Sequence, residues 1–237
     1  DQRQDKRFAF KAPPEYAAIL SGSSVEAANM ANNHSRDYGD SSYTDTIAAL
    51  ENAGIPTFGF ERAKLLKIKG VKVGVTGVYE LADHLEKQQQ VKENIAALKE
   101  AGAKLIIINF HWGNEREYTP TDIQKTLAHL AIDEGADLVI GHHPHVLQGI
   151  ERYKDKYIAY SLGNFCFGGN SNPEDKDSLI FQQTFTIEDG KVKKDDNITL
   201  IPCSLSSSGD HNDYCPTILD GDEKQRVLNK IEQYSQW

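Results

Sequence analysis

Three histidines, His142, His143 and His145, fall within the stretch GADLVIGHHPHVLQG, residues 135–149. They follow the apolar run Leu138-Val139-Ile140 and a break at Gly141. A buried strand has no structural use for so much imidazole at its end, whereas neutral imidazole is the commonest metal ligand. A turn at Pro144 can aim His143 and His145 at one point. A second apolar run, in AKLIIINFHWG, also ends in histidine, His111, with Asn114, Glu115 and Glu117 just beyond. Two more polar clusters stand at the ends of apolar segments. MANNHSRDYG carries Asn32, Asn33, His34, Asp37 and Tyr38, and YSLGNF carries Ser161 and Asn164. Asn33 offers a hard carbonyl oxygen as a ligand. His34, beside it, can handle protons, with Asp37 three residues on as a candidate carboxylate partner. Singly, these residues read more plainly. His111 alone is a satisfied structural histidine, Asn32-Asn33 a turn, Glu115 and Glu117 solvated loop charges, Trp112 core, and Asn164 a side chain bonding backbone. The triple histidine tips the group toward a metal or an anion.

The elements that must position these residues alternate between helix and strand. QQQVKENIAALKEAG places Val91, Ile95 and Leu98 on one helical face, with Gly102 as the stop. Leu105 to Ile108 then forms an apolar, β-branched run suited to a strand buried on both faces. TPTDIQKTLAHLAIDEG is the next helix, with Ile123, Leu127 and Leu130 in register and Gly135 closing it, and ADLVIGHHPH follows. Two helix–strand–histidine units in succession mean βαβ architecture, in which ligands bind beyond the carboxyl ends of the strands. Upstream, SSYTDTIAALENAG reads as a helix capped by Ser41 or Ser42 and stopped at Gly54, and GVKVGVTGVY as a strand. Downstream, KYIAYSLGNF and DSLIFQQTFTIEDGKVKKDDNITLIPC read as antiparallel strands with a hairpin turn at Asp189-Gly190, before a last helix from about Asp222 to Tyr234. No boundary divides residues 1–237, so a single domain is expected.

With 26 Lys+Arg against 35 Asp+Glu, the net charge of -9 argues against a nucleic-acid partner. No apolar run approaches a membrane span. Cys203 and Cys215 flank the polar loop SLSSSGDHNDY and could bridge in an oxidising compartment; Cys166 is left over.

In combination, ANNHSRDYG, HWGNE, GADLVIGHHPHVLQGIE and YSLGNF resemble the bacterial poly-γ-glutamate capsule-synthesis family of the CapA type, over about Phe8 to Tyr234. That family resembles the calcineurin-like metallophosphoesterases. The resemblance implies an α/β fold: a metallophosphatase-like two-sheet sandwich flanked by helices (α/β/β/α), with a two-metal centre at the strand ends. It implies Asn33, His111, His143 and His145 as ligands of divalent Mn, Fe or Zn, and His34, supported by Asp37, as the catalytic acid. Asn32, Glu115, His142 and Asn164 are then expected on the substrate side. The acidic motifs that open the wider fold have no counterpart in residues 1 to 28. They are expected upstream with the N-terminal strands, leaving a centre of three histidines and an Asn.

On this reading two cations polarise the scissile bond and acidify a water, and His34 protonates the leaving group. The resemblance also implies a cell-surface setting. There the protein would be extracytoplasmic and anchored through a segment outside this chain, and would work with poly-γ-glutamate or another anionic polymer beside membrane-bound capsule-synthesis proteins. The alternative is a non-catalytic surface module that holds an anionic polymer through the histidine/metal cluster. A structural domain with a degenerate site is the third reading.

Overall fold

A computed structural model describes residues 2–193 and 197–237. An irregular N-terminal segment leads to the short helix α1 (Ala17–Ser21), strand β1 (Ala28–Asn29) and helix α2 (Gly39–Asn52). Strand β2 (Thr57–Phe58) pairs parallel with β1. The chain continues through β3 (Lys64–Ile68), β4 (Val71–Tyr79), α3 (Lys87–Glu100), β5 (Leu105–His111), α4 (Asp122–Glu134) and β6 (Leu138–His142). Then come β7 (Ile150–Tyr153), β8 (Lys156–Ala159), β9 (Asp177–Gln183), β10 (Ile187–Glu188), β11 (Lys191–Val192), β12 (Ile198–Ser204), β13 (Thr217–Ile218) and α5 (Gly221–Tyr234).

The main sheet has the order β3-β4-β5-β6-β8-β7. Its middle strands β4, β5, β6 and β8 are parallel, and β3 and β7 are antiparallel edges. A second, antiparallel sheet has the order β13-β12-β9. Period-two alternation gives the main sheet two apolar faces. On one, Ile106, Ile108, Phe110 and Val139 pack against Val91, Ile95 and Leu98 of α3 and Leu127, Ala128 and Ala131 of α4. On the other, Leu138, Tyr157 and Ala159, with Ile107 and Ile140, meet Leu179, Phe181, Ile198 and Leu200 of the second sheet and Val227 and Ile231 of α5. The molecule is a two-sheet α/β sandwich.

The helix α4 begins in a reciprocal cap: Thr121 accepts from the Gln124 backbone, and the Gln124 side chain accepts from the Thr121 N–H. It ends at Gly135. Helix α2 corrects the expected cap. It starts at Gly39 after Tyr38, so Ser41 and Ser42 fall inside the first turn, and the Ser42 hydroxyl donates back to the Gly39 carbonyl at 2.8 Å. Of the expected antiparallel strands, β9 and β12 pair so, with Leu200 opposite Phe181, and β10–β11 turn at Asp189-Gly190. Strand β8 is antiparallel to β7 but parallel to β6, because the chain enters it from the sheet edge. All three cysteines are free: Cys203 is buried in β12 while Cys215 is exposed, so the bridge that their flanking positions allowed does not form. Residues 235–236 run along β7, where Gln236 donates to the Ile150 carbonyl at 2.8 Å and accepts from the Arg152 N–H at 2.7 Å. Among the described residues, no helix is long and apolar enough to cross a membrane.

Candidate metal centre

Strands β5 and β6 lie side by side with His111 opposite His142, which brings both histidine-bearing ends to one edge of the sheet. Alternation carries His111 with Ile107, and His142 with Leu138 and Ile140, toward the face that meets the second sheet. Trp112 faces the other way. It is fully buried, stacks on Phe110 with ring centroids 4.3 Å apart and donates its indole N–H to the Tyr160 carbonyl at 2.8 Å. This anchor fixes the strand end from which His111 projects.

Beyond β6, Pro144 sits between two residues of left-handed backbone, His143 at φ 100° and His145 at φ 60°. Both conformations are uncommon for non-glycine residues. They turn the two rings toward His111. The His111 and His143 ring centroids are 4.7 Å apart, and those of His143 and His145 are 5.7 Å apart. Asn164 donates to the His145 carbonyl at 3.2 Å, and its Oδ1 pairs with His145 Nδ1 at 2.7 Å. Both contacts hold the His145 ring and leave its Nε2 available, the support that ligating histidines commonly have.

The Asn33–His34 turn arrives from the other side. Asn29 of β1 lies so close to β4 that a Cβ on Gly77 would sit 2.2 Å from its Oδ1; only glycine lets this segment approach the sheet. The Asn32 Oδ1 accepts from the His34 N–H at 2.7 Å, so this oxygen builds the turn instead of facing a ligand. Asn33 Oδ1 then stands 3.1 Å from His111 Nε2. A hydrogen bond gives that spacing. So do two ligands of one cation with bonds of about 2.1 Å. His34 pairs through Nδ1 with Asp37 Oδ2 at 2.8 Å, and its edge meets the Phe10 ring at a centroid distance of 4.7 Å. Asp37 is buried and also accepts from the Phe10 N–H at 2.9 Å and the Lys6 ammonium at 2.8 Å. Burial alone would raise its carboxyl, but the bonds from Lys6, Phe10 and His34 outweigh it and hold the group below the usual carboxylate value.

Three of the imidazoles, those of His111, His142 and His143, are biased toward the neutral form. Burial, reinforced by the neighbouring histidines, lowers His111 to about 2. Burial lowers His142 to about 4. His143 is also lowered to about 4, by burial and His145, against an opposing pull from Glu115. His143 Nδ1 is shut off from water and has no hydrogen-bond partner. Such an orphan costs about 1–3 kcal/mol unless something else satisfies it. Neutral nitrogens, an amide oxygen at ligand spacing and an unsatisfied ring nitrogen fit a divalent cation. Glu115 lies beside them: its carboxylate and one ring nitrogen each of His143 and His145 are all within 4.8 Å of one another.

The centre opens into a cavity of about 1920 Å³ lined by strand ends and the loops beyond them. Asn32, Glu115, His142 and Asn164 all line it, with Phe8 and Phe10 near the His34 turn and Arg226 and Lys230 among its other lining residues. Glu117 is not among the lining residues. Local pattern gave no sign of Lys6, Phe10 or buried Glu80, whose carboxylate accepts from the Gly113 N–H at 3.1 Å. The partners that tie them to the site are remote in sequence, although Glu80 also pairs with His84 four residues on. The only available signal was the basic-aromatic KRFAF run itself, which by composition alone is uninformative.

The family model described as "Bacterial capsule synthesis protein PGA_cap" matches residues 1–169. The chain belongs to the PGA_cap family. Among curated relatives, the Bacillus anthracis "Capsule biosynthesis protein CapA" is 32% identical over 203 residues, 76% of this chain and 49% of the relative. The Bacillus subtilis "PGA biosynthesis protein CapA" is 32% identical over 188 residues, 70% of this chain and 49% of the relative. A Mycobacterium tuberculosis "Probable polyglutamine synthesis accessory protein" is 28% identical over 190 residues, 67% of this chain and 50% of the relative. This PGA_cap chain therefore spans about half the length of the curated relatives it matches. A solved structure of a hypothetical protein from Thermus thermophilus superposes with a TM-score of 0.48 at 15% identity, covering 80% of this chain and 91% of that one.

Proposed function

We propose that this chain is the metal-dependent, hydrolase-type part of a protein that acts in the biosynthesis of poly-γ-glutamate or a related capsule polymer at the cell surface. The observation that carries the reading is the meeting of Asn33, His111, His143 and His145 beside the His34–Asp37 pair, at the edge of a cavity large enough for a polymer segment. The polymer is taken from what the two Bacillus relatives are named for.

A divalent cation held by these ligands supplies Lewis acidity and a readily ionised water. The chain's own residues do the rest. Asp37 fixes the His34 ring through Nδ1, so its Nε2 is the atom that delivers a proton to the leaving group. Phe10 lies against that ring and limits its rotation. Asn164 holds His145 in its ligating orientation. Asn32 and His142 line the wall against which the substrate lies. The partners in this reading are the anionic polymer and the membrane-bound machinery that makes it.

The test is elemental analysis of the full chain after loading with Mn²⁺, Fe²⁺ or Zn²⁺, followed by turnover assays on phosphoesters and on γ-glutamyl oligomers. Bound metal with turnover of either substrate supports the reading. Metal with polymer binding and no turnover replaces it with a binding module. No metal under any loading condition overturns it.

A further inference from the structure

We infer that Glu115 is a metal ligand, completing with His143 and His145 a three-residue cation site held entirely within this chain. The inference deepens the metal-dependent reading above and rests on it. Glu115 was expected to touch substrate, or simply to be a solvated loop charge. Three observations take it further.

The first is proximity. The carboxylate and the two imidazole nitrogens all lie within 4.8 Å of one another, a spacing from which one ion can gather them with small side-chain rotations. The second is the absence of any competing partner. Among the described residues the Glu115 carboxylate has no hydrogen bond and no ion pair. The two imidazoles it faces include His143, whose Nδ1 is buried without a hydrogen-bond partner. A carboxylate grouped with two imidazoles is a donor set suited to a divalent cation.

The third is that the loop carrying Glu115 is pinned. The Gly113 N–H is held by buried Glu80 at 3.1 Å. The Arg116 N–H donates to the Pro144 carbonyl at 2.8 Å, which ties this loop to the middle of the His-Pro-His turn. The Glu117 carbonyl accepts from the Gln148 side chain at 2.8 Å. Arg116 itself adopts left-handed backbone at φ 63°, which directs the chain back across the turn. An exposed charge that only needed water would need none of these ties. Together they hold the Glu115 backbone at a fixed offset from His143 and His145, while Asn164 fixes the third ligand. Glu115 thus supplies a carboxylate from the chain itself, and His143 stands between this site and the Asn33–His111 pair.

The experiment is Co²⁺ and Mn²⁺ titration of the metal-free full chain, by calorimetry and by the visible Co²⁺ spectrum. Wild type, Glu115→Gln and Glu117→Gln are compared, with circular dichroism confirming that each is folded. Glu117 sits on the same pinned loop, outside the cavity. The expected result is at least a tenfold weaker affinity and an altered Co²⁺ spectrum for Glu115→Gln, with Glu117→Gln like wild type; Glu115→Asp should recover part of the affinity. If wild type binds metal and Glu115→Gln binds it equally well with the same spectrum, this inference is overturned and the metal-dependent reading stands. If wild type binds no metal, both fall. Equal weakening in Glu117→Gln also overturns the inference, because loop charge alone then explains the effect.

Discussion

The His34 ring is held by contacts that have no use for a metal: Asp37 on Nδ1 and Phe10 in a T-shaped contact. Asn33, one residue earlier, points its oxygen at His111. The two neighbours should therefore separate cleanly on mutation. His34→Ala should keep metal and lose turnover by ~10²–10⁴-fold, the usual size of a general-acid contribution. Asn33→Ala should lose metal. Metal analysis alongside kcat checks both, and loss of metal in His34→Ala would reverse the roles. Stability carries a second signature. His111, His142 and His143 all have folded values below the 6.5 of a free imidazole. Above about 6.5 neither folded nor unfolded chain protonates them, and their contribution is fully present. Between about 6.5 and 4 the unfolded chain takes up protons that the folded one refuses, so stability falls as pH falls. Below about 4, His142 and His143 protonate when folded too and add no further loss. There Asp37, lowered from 3.8, begins its own, because its contribution is lost as the carboxylate is protonated. Tm of the metal-free protein should thus decline from pH 7 to 4; a flat profile would contradict the burial of these rings. At this scale the sequence was informative where chemistry was dense: the histidines and the Asn33–His34–Asp37 spacing could be read directly. Lys6, Phe10 and Glu80 could not. The contacts that tie them to the site reach 27 to 33 residues along the chain.

The elements that bring the histidines together depend on one close packing. Gly141 precedes the triple histidine where β6 passes both Trp112 and Tyr160, the residue that follows β8. A Cβ there would lie 2.0 Å from the Tyr160 carbonyl and 2.3 Å from the Trp112 indole nitrogen, the two ends of one hydrogen bond. Gly141→Ala should therefore cost roughly 2–4 kcal/mol, overpacking plus a strained buried bond. It should also loosen metal binding, because His142 and His143 follow directly. Denaturant unfolding measures the first effect and metal titration the second; a cost below about 1 kcal/mol would mean that the strand end is free to shift. The helices α3 and α4 and strands β4, β5 and β6 were legible because each repeats its apolar positions over several turns or pleats. The two-residue strands β1, β2 and β13 were not, since two residues carry no period. The start of α2 was misplaced because both serines fall inside the first turn, where Ser42 bonds backward to Gly39. The Cys203–Cys215 pairing failed for a related reason: flanking positions in sequence give no direction in space, and only Cys203 turns inward.

The whole molecule carries a net charge of -9, yet the proposed substrate is a polyanion. The global field then opposes encounter, and attraction must come from the centre itself. Raising ionic strength from about 0.01 to 0.15 M shortens the screening length from ~30 to ~8 Å and weakens the long-range repulsion more than the contact attraction. KM for γ-glutamyl oligomers should accordingly fall over that range, the reverse of a basic polyanion binder; a KM that rises steeply with salt would point to local cations in charge of recognition. The two-sheet sandwich followed only from the family resemblance, whereas the α/β class was legible from its alternating centre and antiparallel end. The stacking of β9 and β12 on the main sheet was not, because it joins segments far apart in sequence. The same long reach has a consequence in time. The outer edge of β7 is closed by residues 235–236, and the Ile150 N–H donates to a serine 85 positions later. At ~5–20 residues per second, a ribosome needs roughly 4–17 s to deliver that serine after β7 has been made. Throughout that interval the newborn sheet presents an unpaired strand to its surroundings, so the opportunity for mispairing is set by the pace of translation.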